Sequence, residues 1–422
     1  MGHIGVICSP VPGHMIPLSS FADALEDAGH KVTFFNVEDV QEFIQKRGHH
    51  FCVVGEQRFP LGTWQKHMEP LSKKSGLAVI LGTSKFNTLL AEIYCEDIPE
   101  KAKALGIDAF LIDQIQFQGS VIAEKVGVPF ASVTCGVRLN RDSNLSYPPP
   151  FVPWPHSESL ATKALNHLAF KGMDLLTSPI LKVARQHAQK WNVKVPRTID
   201  DTFSTVLDFY PFNKEFDFPF SRVIGSEVFL GPYKSPRRVS VPFDYSKLDD
   251  RPLVYASFGT LNNGLLPLYQ KVADAFKNLP EYQLVMSLGN SAIEPEQITV
   301  AENVLVEKFL PQPELLKRAV LCITHGGFNT TIESLSEGLP LVAIPLSNDQ
   351  PAICARIKSH GAGLVLDVNK TTPLAIEHAV QKVLATPGYK ASADKIKNAI
   401  DETPGLLGAV RLIEEKLLGA QI

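Results

Sequence analysis

The sequence predicts an α/β protein with two separate parallel sheets, one in each half of the chain, and a cleft between them. Three observations lead to this prediction. Strand and helix patterns alternate in both halves of the chain, which is typical of parallel sheets covered by helices. The stretch 231–250, "GPYKSPRRVSVPFDYSKLDD", is rich in turn-forming residues, lacks periodicity and separates the halves. At 422 residues, the chain also exceeds the usual size of a single core.

The first half begins with a strand–helix–strand unit. "HIGVICS" (3–9) is an apolar run typical of a buried strand, and "IPLSSFADALEDAG" (16–29) places apolar residues such as Leu18 and Phe21 on one helical face. Gly29 suits the end of that helix. The other predicted elements are strands at 30–37, 108–113 and 128–135, a helix at 118–127, an irregular proline-rich segment at 141–156 and a long helix from Leu160 to Trp191.

The second half repeats the alternation after residue 250. Its predicted elements are strands at 252–259, 282–289, 320–324, 339–345 and 362–367, and helices at 266–279, 329–337, 351–361 and 408–419. We therefore expect a second parallel sheet of the same kind.

Composition excludes several classes of protein. A hydrophobic content of 45% with 20% charged residues is that of an ordinary globular protein. A formal charge of −3 gives no electrostatic footprint for nucleic acid. The six cysteines form no C-x-x-C pair, so neither a zinc site nor a disulfide framework is predicted. The sequence has no signal-peptide pattern and no bilayer-spanning apolar run, so we expect a cytoplasmic protein.

The stretch "HGGFNTTIES" (325–334) follows a predicted strand at its carboxyl end, where parallel sheets bind ligands. Two glycines let the backbone approach a ligand, and the helix that follows offers free N–H groups to an anion. A capping box of Thr330 and Glu333 and a structural His325 are simpler explanations, but neither requires two glycines. We therefore predict a phosphate site. It differs from a P-loop and from the dinucleotide fingerprint, because both motifs are absent.

The segment 309–357 resembles the donor-binding signature of the family 1 glycosyltransferases, which use nucleotide-activated sugars. The similarity runs without gaps from His325 through Glu333 to Asp349 and Gln350. Nearly the whole chain is similar to bacterial members of the zeaxanthin glucosyltransferase and macrolide glycosyltransferase type.

The resemblance implies the GT-B fold, in which two Rossmann-like domains face each other across the cleft. Residues 1–235 would form the acceptor-binding domain and residues 236–404 the donor-binding domain. A last helix, about 405–422, would pack back on the first domain.

The resemblance also implies donor contacts. The diphosphate would lie on His325, Gly327, Asn329 and Thr330, the ribose on Glu333, and the sugar hydroxyls on Asp349 and Gln350. Further donor positions are Thr260, Ser287, Phe309, Leu310, Gln312 and Phe328. Phe309 would stack on the base where the family usually has tryptophan, which leaves the preference for uridine over thymidine open.

Transfer of a sugar to an alcohol requires a base, and histidine suits this role near neutral pH. His14, in "SPVPGHMIPL", lies in the loop after the first predicted strand and ahead of a helix, and Asp113 ends another strand of the same sheet. Both match the family's base and its orienting carboxylate. We expect the helix N-terminus to lower the pKa of His14 and Asp113 to stabilise the imidazolium. Pro12, Gly13 and Phe117 would contact the acceptor.

No Asp-x-Asp motif occurs in the chain, so no metal is predicted to bridge the diphosphate, and no other cofactor is expected. The helix terminus and His325 would supply the positive potential instead.

Together these features imply an inverting, metal-independent transfer of glucose from UDP-glucose to a hydroxyl of a bulky apolar small molecule, such as a carotenoid or a polyphenol. Gln350 matches members of the family that prefer glucose. A sugar-nucleotide epimerase of the same fold and a non-catalytic nucleotide-sugar-binding protein are the alternatives. The first would not need a histidine–aspartate base, and the second would have lost it. We expect a monomer. Domain packing is the usual explanation of an amphipathic helix such as 160–191, and weak peripheral membrane contact is the alternative.

Overall fold

The computed structural model describes residues 1–72, 77–221, 226–235, 237, 241–259, 266–289 and 293–419, with side chains for all of these except 68–72 and 77–80. Within these ranges the strands form two parallel sheets, and helices connect them. The predicted α/β fold class is confirmed. Thr260, which was predicted to contact the donor, lies outside the described residues.

The first sheet has seven strands in the order β3-β2-β1-β4-β5-β6-β7, and its paired strands are parallel. Its strands are β1 (His3–Ile7), β2 (Lys31–Asn36), β3 (His50–Val53), β4 (Ala109–Asp113), β5 (Phe130–Val133), β6 (Asp208–Tyr210) and β7 (Glu227–Phe229). Its helices are α1 (Pro12–Asp27), α2 (Gln41–Gln45), α3 (Thr63–Ser72), α4 (Leu77–Leu105), α5 (Gly119–Val126) and α6 (Leu160–Trp191).

The second sheet has six parallel strands in the order β10-β9-β8-β11-β12-β13. Its strands are β8 (Leu253–Ser257), β9 (Gln283–Ser287), β10 (Val304–Glu307), β11 (Ala319–Thr324), β12 (Leu341–Ala343) and β13 (Gly363–Val365). The helices of this half are α7 (Leu266–Ala275), α8 (Gln312–Leu316), α9 (Phe328–Ser336), α10 (Gln350–Ser359), α11 (Pro373–Ala385), α12 (Pro387–Asp401) and α13 (Gly405–Lys416).

Two helix predictions have different outcomes. The long helix from Leu160 to Trp191 is confirmed with the same bounds. The first helix was predicted to begin at Ile16, but α1 begins at Pro12. Proline suits the first helical position because its fixed φ is already helical and it has no N–H to satisfy. His14 therefore lies inside the first turn of α1 and not in the preceding loop.

Each sheet has a point at which the strand order reverses. In the first sheet this point lies between β1 and β4, and in the second between β8 and β11. Connections that leave two such neighbouring strands turn away from each other and open a crevice at the carboxyl edge, where α/β proteins bind ligands. The predicted base pair and the predicted phosphate loop follow strands at these two points.

The two domains contact each other through an apolar cluster and a buried set of charges. The apolar cluster includes Phe212 of the first domain and Phe328 of the second, whose rings lie 5.7 Å apart. The last helix, α13, returns to the first domain and contributes Leu406 and Ile413 to its core. Among the described residues, no helix is both long and apolar enough to cross a membrane.

The buried charges form what we call the interdomain ion-pair network, which consists of Arg138, Asp217 and Arg356. Arg356 of α10 reaches Asp217 of the first domain, with 2.8 Å between Nη2 and Oδ1, and Arg138 Nε lies 3.3 Å from Asp217 Oδ2. The Tyr147 hydroxyl also donates to Asp217 at 2.8 Å. All three charged side chains are only 2% exposed, so the network fixes the face that α10 turns toward the first domain.

Candidate active site

The structure brings His14 and Asp113 together at the reversal point of the first sheet. The distance from His14 Nδ1 to Asp113 Oδ2 is 2.7 Å. The His14 side chain is 24% exposed and that of Asp113 is 1% exposed, so the histidine faces the cleft and the carboxylate lies behind it. The backbone N–H groups of Ser9 and Ile115 also donate to Asp113, each at 3.3 Å, and hold the carboxylate in place.

The electrostatics of His14 differ from the sequence-based expectation. Burial lowers the pKa of a histidine, but here the charge and hydrogen bond of Asp113, with a further contribution from Asp349, outweigh it and raise the pKa of His14. The prediction that the helix N-terminus lowers this pKa is therefore wrong. The carboxylates dominate because they are full charges, whereas a helix end carries about half a charge.

The three predicted acceptor positions have different surroundings. Pro12 and Gly13 form the first residues of α1, and a side chain at Gly13 would meet no other atom within 4 Å. Phe117 does not line the cleft: it is 4% exposed and packs in the core of the first domain. The prediction for Phe117 is wrong because the turn after β4 directs this apolar ring inward, where its burial stabilises the fold.

The predicted phosphate loop follows β11 and leads into α9. Gly326 has a φ of +75°, which favours glycine. Gly327 is the N-cap residue of α9 and has an ordinary φ of −63°, but a Cβ there would lie 2.3 Å from His325 Nε2. The two glycines therefore serve different purposes, one for the turn and one for contact with the histidine ring.

The N-terminus of α9 presents backbone donors. Thr331 N–H donates to Gly327 O, so the preceding N–H groups, those of Phe328, Asn329 and Thr330, have no carbonyl within the helix. Thr330 is the third residue of α9 and is not its cap, so the alternative of a capping box with Glu333 is wrong. The helix end is free to bind an anion.

His325 is neutral at physiological pH. Burial lowers its pKa to about 4, and a hydrogen bond to the backbone of Ser257 opposes this only in part. The ring is confined by Gly327 and by Gly259, where a Cβ would lie 2.6 Å from Nε2. The expectation that His325 supplies positive potential is therefore wrong. A neutral ring can donate a hydrogen bond but carries no charge.

Gln312 and Glu333, both predicted donor contacts, are bonded to each other. Gln312 Nε2 donates to Glu333 Oε2 at 2.7 Å, and the Tyr255 hydroxyl donates to Gln312 Oε1 at 3.2 Å. Tyr255 is buried in β8. This chain of hydrogen bonds fixes the orientation of the Glu333 carboxylate, which is the group matched to the ribose.

The remaining side chains matched to the nucleotide divide into exposed and buried ones. Phe309 is 50% exposed, so its ring is free to stack on a base. Ser287 ends β9 at the carboxyl edge and is 8% exposed. The side chains of Leu310 and Phe328 belong to the apolar cluster between the domains. Their predicted contacts with the donor would therefore be made by backbone groups.

Asn329 and Asp349 of the donor domain face the first domain, and Gln350 holds the loop before α10 in place. Asn329 Nδ2 donates to Gly13 O at 3.3 Å, one residue before His14. A Cβ added to Gly136 would lie 2.9 Å from Asp349 Oδ2, so this carboxylate is close to the loop after β5. The charge of Asp349 also acts on His14. Gln350 Oε1 accepts from the backbone N–H groups of Leu346 and Ser347 at 2.7 and 2.9 Å. The loop before α10 is thereby held close to the base pair.

Sequence reasoning missed two residues in this region, Cys135 and Gly136. Both follow β5, the neighbour of β4, in the sequence "VTCGV". The signal available was their position at the carboxyl end of a parallel strand. It was not used because neither residue belongs to the motif that carries the resemblance.

Comparisons with known proteins agree with this architecture. The family model described as UDP-glucoronosyl and UDP-glucosyl transferase matches residues 61–404. Zeaxanthin glucosyltransferase of Pantoea ananas is 25% identical over 423 residues, which cover 100% of this chain and 97% of the relative. NDP-glycosyltransferase YjiC of Bacillus subtilis (strain 168) is 26% identical over 415 residues, which cover 98% and 96%.

Solved structures show the same fold. CalG4, the calicheamicin glycosyltransferase, is 19% identical with a TM-score of 0.73, and the match covers 99% of both chains. Glycosyltransferase VinC, solved in complex with DTDP, is 19% identical with a TM-score of 0.72 over 99% of this chain and 100% of the other. The fold and the family resemblance are thus confirmed. Because the family model spans most of its length, the chain belongs to the family of UDP-glucoronosyl and UDP-glucosyl transferases and is a glycosyltransferase.

Proposed function

We propose that the protein transfers glucose from UDP-glucose to a hydroxyl group of a bulky, apolar small molecule, with inversion at the anomeric carbon. The observation that supports this most is the His14–Asp113 pair, which lies 2.7 Å apart at the edge facing α9. A base and an anion-binding helix end on opposite sides of one cleft suit direct displacement of a nucleoside diphosphate by an alcohol.

In the proposed reaction His14 is the base. Its Nδ1 contacts Asp113, so Nε2 is the ring nitrogen left to accept the proton of the acceptor hydroxyl. As the acceptor oxygen bonds to the anomeric carbon, the bond from that carbon to the diphosphate oxygen breaks and the proton moves to Nε2. Asp113 stabilises the imidazolium. Base catalysis of this kind contributes about 10²–10⁴-fold.

The leaving diphosphate would be received by the free N–H groups of α9. They supply the positive potential because His325 is neutral. On this basis we propose a reaction that needs no metal, and excess EDTA is expected to leave the rate unchanged. Strong inhibition by EDTA would refute this part of the proposal.

The donor contacts are proposed from the side chains that the structure leaves available. Glu333, oriented by Gln312, would bind the ribose, and Phe309 would stack on the base. Asp349 and the Nε2 group of Gln350 would bind the sugar hydroxyls, since Gln350 Oε1 is already engaged by the backbone. The similarity to a protein solved with DTDP keeps thymidine as a second nucleoside to test.

The acceptor is proposed to be a carotenoid, with polyphenols as further substrates. Two relatives with 25% and 26% identity are zeaxanthin glucosyltransferases and align over the full length of this chain. Leucines on α6, such as Leu168 and Leu175, are 66% and 76% exposed, which is compatible with the weak peripheral membrane contact that a lipophilic acceptor would favour. We propose a cytoplasmic monomer.

The decisive experiment is UDP release from UDP-glucose with and without a hydroxylated acceptor, followed by NMR of the product. A β-glucoside from the α-linked donor is the expected result. An α-linked product would refute inversion. Interconversion of the sugar nucleotide without an acceptor would indicate an epimerase, and donor binding without turnover would indicate a non-catalytic protein.

A further inference from the structure

Cys135 lies beside the base pair and has no part in the proposed reaction. It follows β5, and its thiol lies 4.0 Å from the backbone carbonyl oxygen of His14. One ligand atom from each of His14, Asp113 and Cys135 lies within 4.8 Å of the other two. Three side chains with nitrogen, oxygen and sulfur donors therefore converge at one point of the cleft.

This donor set suits zinc. Tetrahedral Zn²⁺ takes histidine nitrogen and carboxylate oxygen at about 2.0–2.2 Å and cysteine sulfur at about 2.3 Å. Two light ligand atoms on such an ion lie about 3.3 Å apart, so His14 Nδ1 and Asp113 Oδ2 need to separate by only about half an ångström from their 2.7 Å contact. The fourth position would open toward the cleft, because the His14 side chain is 24% exposed.

The local field also favours a cation. The negative charges of both Asp113 and Asp349 act on His14. The Cys135 thiol carries its proton until a metal displaces it.

A second group with metal-type donors, Asp23, Glu26 and His49, is the only other one among the described residues. Arg237 already places a guanidinium there, with Nη1 3.0 Å from Glu26 Oε2. That positive charge would repel a metal ion. The group near Asp23 therefore serves as an internal control.

We propose that His14, Asp113 and Cys135 form a binding site for Zn²⁺ and that zinc bound there inhibits the transferase. When the ion binds, the Cys135 S–H bond breaks, a Zn–S bond forms and the proton leaves to solvent. When the ion takes His14 Nδ1, the proton that Nδ1 held toward Asp113 is released and Nε2 takes up a proton from solvent, so the ring can no longer accept one from an acceptor hydroxyl. The inhibition rests on the proposed function, whereas the binding does not.

The binding is tested with Co²⁺ as a spectroscopic probe on the full chain after treatment with EDTA and dialysis. We expect thiolate-to-cobalt charge-transfer absorption and the visible bands of tetrahedral cobalt, both lost in Cys135→Ser and His14→Ala. Cys52→Ser, at a half-buried cysteine elsewhere, and His49→Gln, in the control group, should retain them. Absence of the thiolate band in the wild type, or its survival in Cys135→Ser, would overturn the site.

The inhibition is tested by adding Zn²⁺ to the transfer assay, with each variant compared with its own zinc-free rate. We expect Cys135→Ser to need at least about tenfold more zinc than the wild type for half-inhibition. Cys135→Ala, once its thermal unfolding shows that it is folded, should need a similarly raised zinc concentration. Equal sensitivity of wild type and Cys135→Ser would overturn the proposed inhibition. If the thiolate band forms but transfer continues, the zinc site stands and the role of His14 as the base is refuted.

Discussion

Replacing Asp113 with asparagine tests the proposed base directly. The carboxylate is 1% exposed and lies 2.7 Å from His14 Nδ1, so Asp113→Asn removes a charge without changing the packed volume. Without this charge the burial of His14 dominates, and the pKa of His14 is expected to fall below its wild-type value.

The size of the expected pKa change follows from the hydrogen bond between His14 and Asp113. A hydrogen bond to a charged group contributes about 1.5–3 kcal/mol. At 1.36 kcal/mol per pKa unit this corresponds to a decrease of about one to two units in the pKa of His14. If the same energy stabilises the imidazolium in the transition state, kcat/KM should fall by about 10- to 150-fold.

The pH dependence of kcat/KM shows in which direction the pKa of His14 has moved. In the wild type, kcat/KM should fall as the pH drops through the raised pKa of His14, because a protonated ring cannot act as a base. In Asp113→Asn this fall should move to lower pH while the plateau rate decreases. The assay is initial-rate UDP release between pH 5 and pH 9 with an unactivated alcohol acceptor.

A matched control lies at the other end of the same strand. Asp108 Oδ2 accepts a hydrogen bond from His3 N at 2.7 Å, just before β4 begins. Asp108→Asn should keep the wild-type pH profile. If Asp113→Asn does the same, with kcat/KM within about twofold of the wild type, the proposed base pair is wrong.

Three further predictions concern the donor loop and the domain contact. Gly327→Ala should weaken UDP binding about tenfold or more, because its Cβ would lie 2.3 Å from His325 Nε2. Calorimetry should show no such loss for Gly172→Ala, where no atom lies within 4 Å, and equal affinities would contradict the steric argument. The pKa of His325 is about 4 in the folded protein, whereas an ordinary histidine, as in the unfolded chain, has a pKa of 6.5. The unfolded chain therefore binds a proton on His325 more tightly than the folded protein does. The free energy of unfolding should therefore decrease by about 3 kcal/mol between pH 6.5 and pH 4 from this group, and urea unfolding of His325→Gln should show a correspondingly weaker pH dependence. Arg356→Met should lower the free energy of unfolding, measured with urea, by about 3 kcal/mol. This is the low end for a broken buried ion pair, because Asp217 keeps the guanidinium of Arg138 as a partner. Adding Asp217→Leu should restore part of this loss, and full additivity of the two losses would contradict a coupled network.

The fold was predictable where a strand is a long apolar run that ends at a turn. β6 and β7 have three residues each, so they are too short for periodicity to indicate them. α4 spans 29 residues but contains Gly82 and Pro99, which interrupt its helical pattern. Those elements form because the sheet and its neighbours stabilise them, and this information is not local in sequence.

The candidate site was predictable in position but not in electrostatics. Strand order at a reversal point places His14 beside Asp113, and a sequence with two clear βαβ units already implies this. The direction of the pKa of His14 was wrong because the charge and hydrogen bond of Asp113, with a further contribution from Asp349 of the other domain, together outweigh the effect of burial. Phe117 was misassigned because an aromatic ring in a loop can turn either toward the cleft or into the core.

The two histidines at the reversal points have opposite charge preferences, and they follow different strands: His14 follows β1, whereas His325 follows β11, which corresponds to β4 of the first sheet. His14 lies beside carboxylates, which raise its pKa, whereas His325 is enclosed between Gly259 and Gly327, and its burial lowers its pKa. The proposed base must gain a proton at neutral pH, while a histidine proposed to contact the departing diphosphate keeps one hydrogen-bonding geometry if it does not titrate. Burial keeps His325 neutral, and we expect the anion to bind the α9 backbone. The carboxylates of Asp113 and Asp349 act on His14, whereas burial dominates at His325, and this difference separates proton acceptance from the proposed diphosphate site. Exchanging these surroundings, for example by placing an acidic residue beside His325, should weaken UDP binding more than it changes the pH profile.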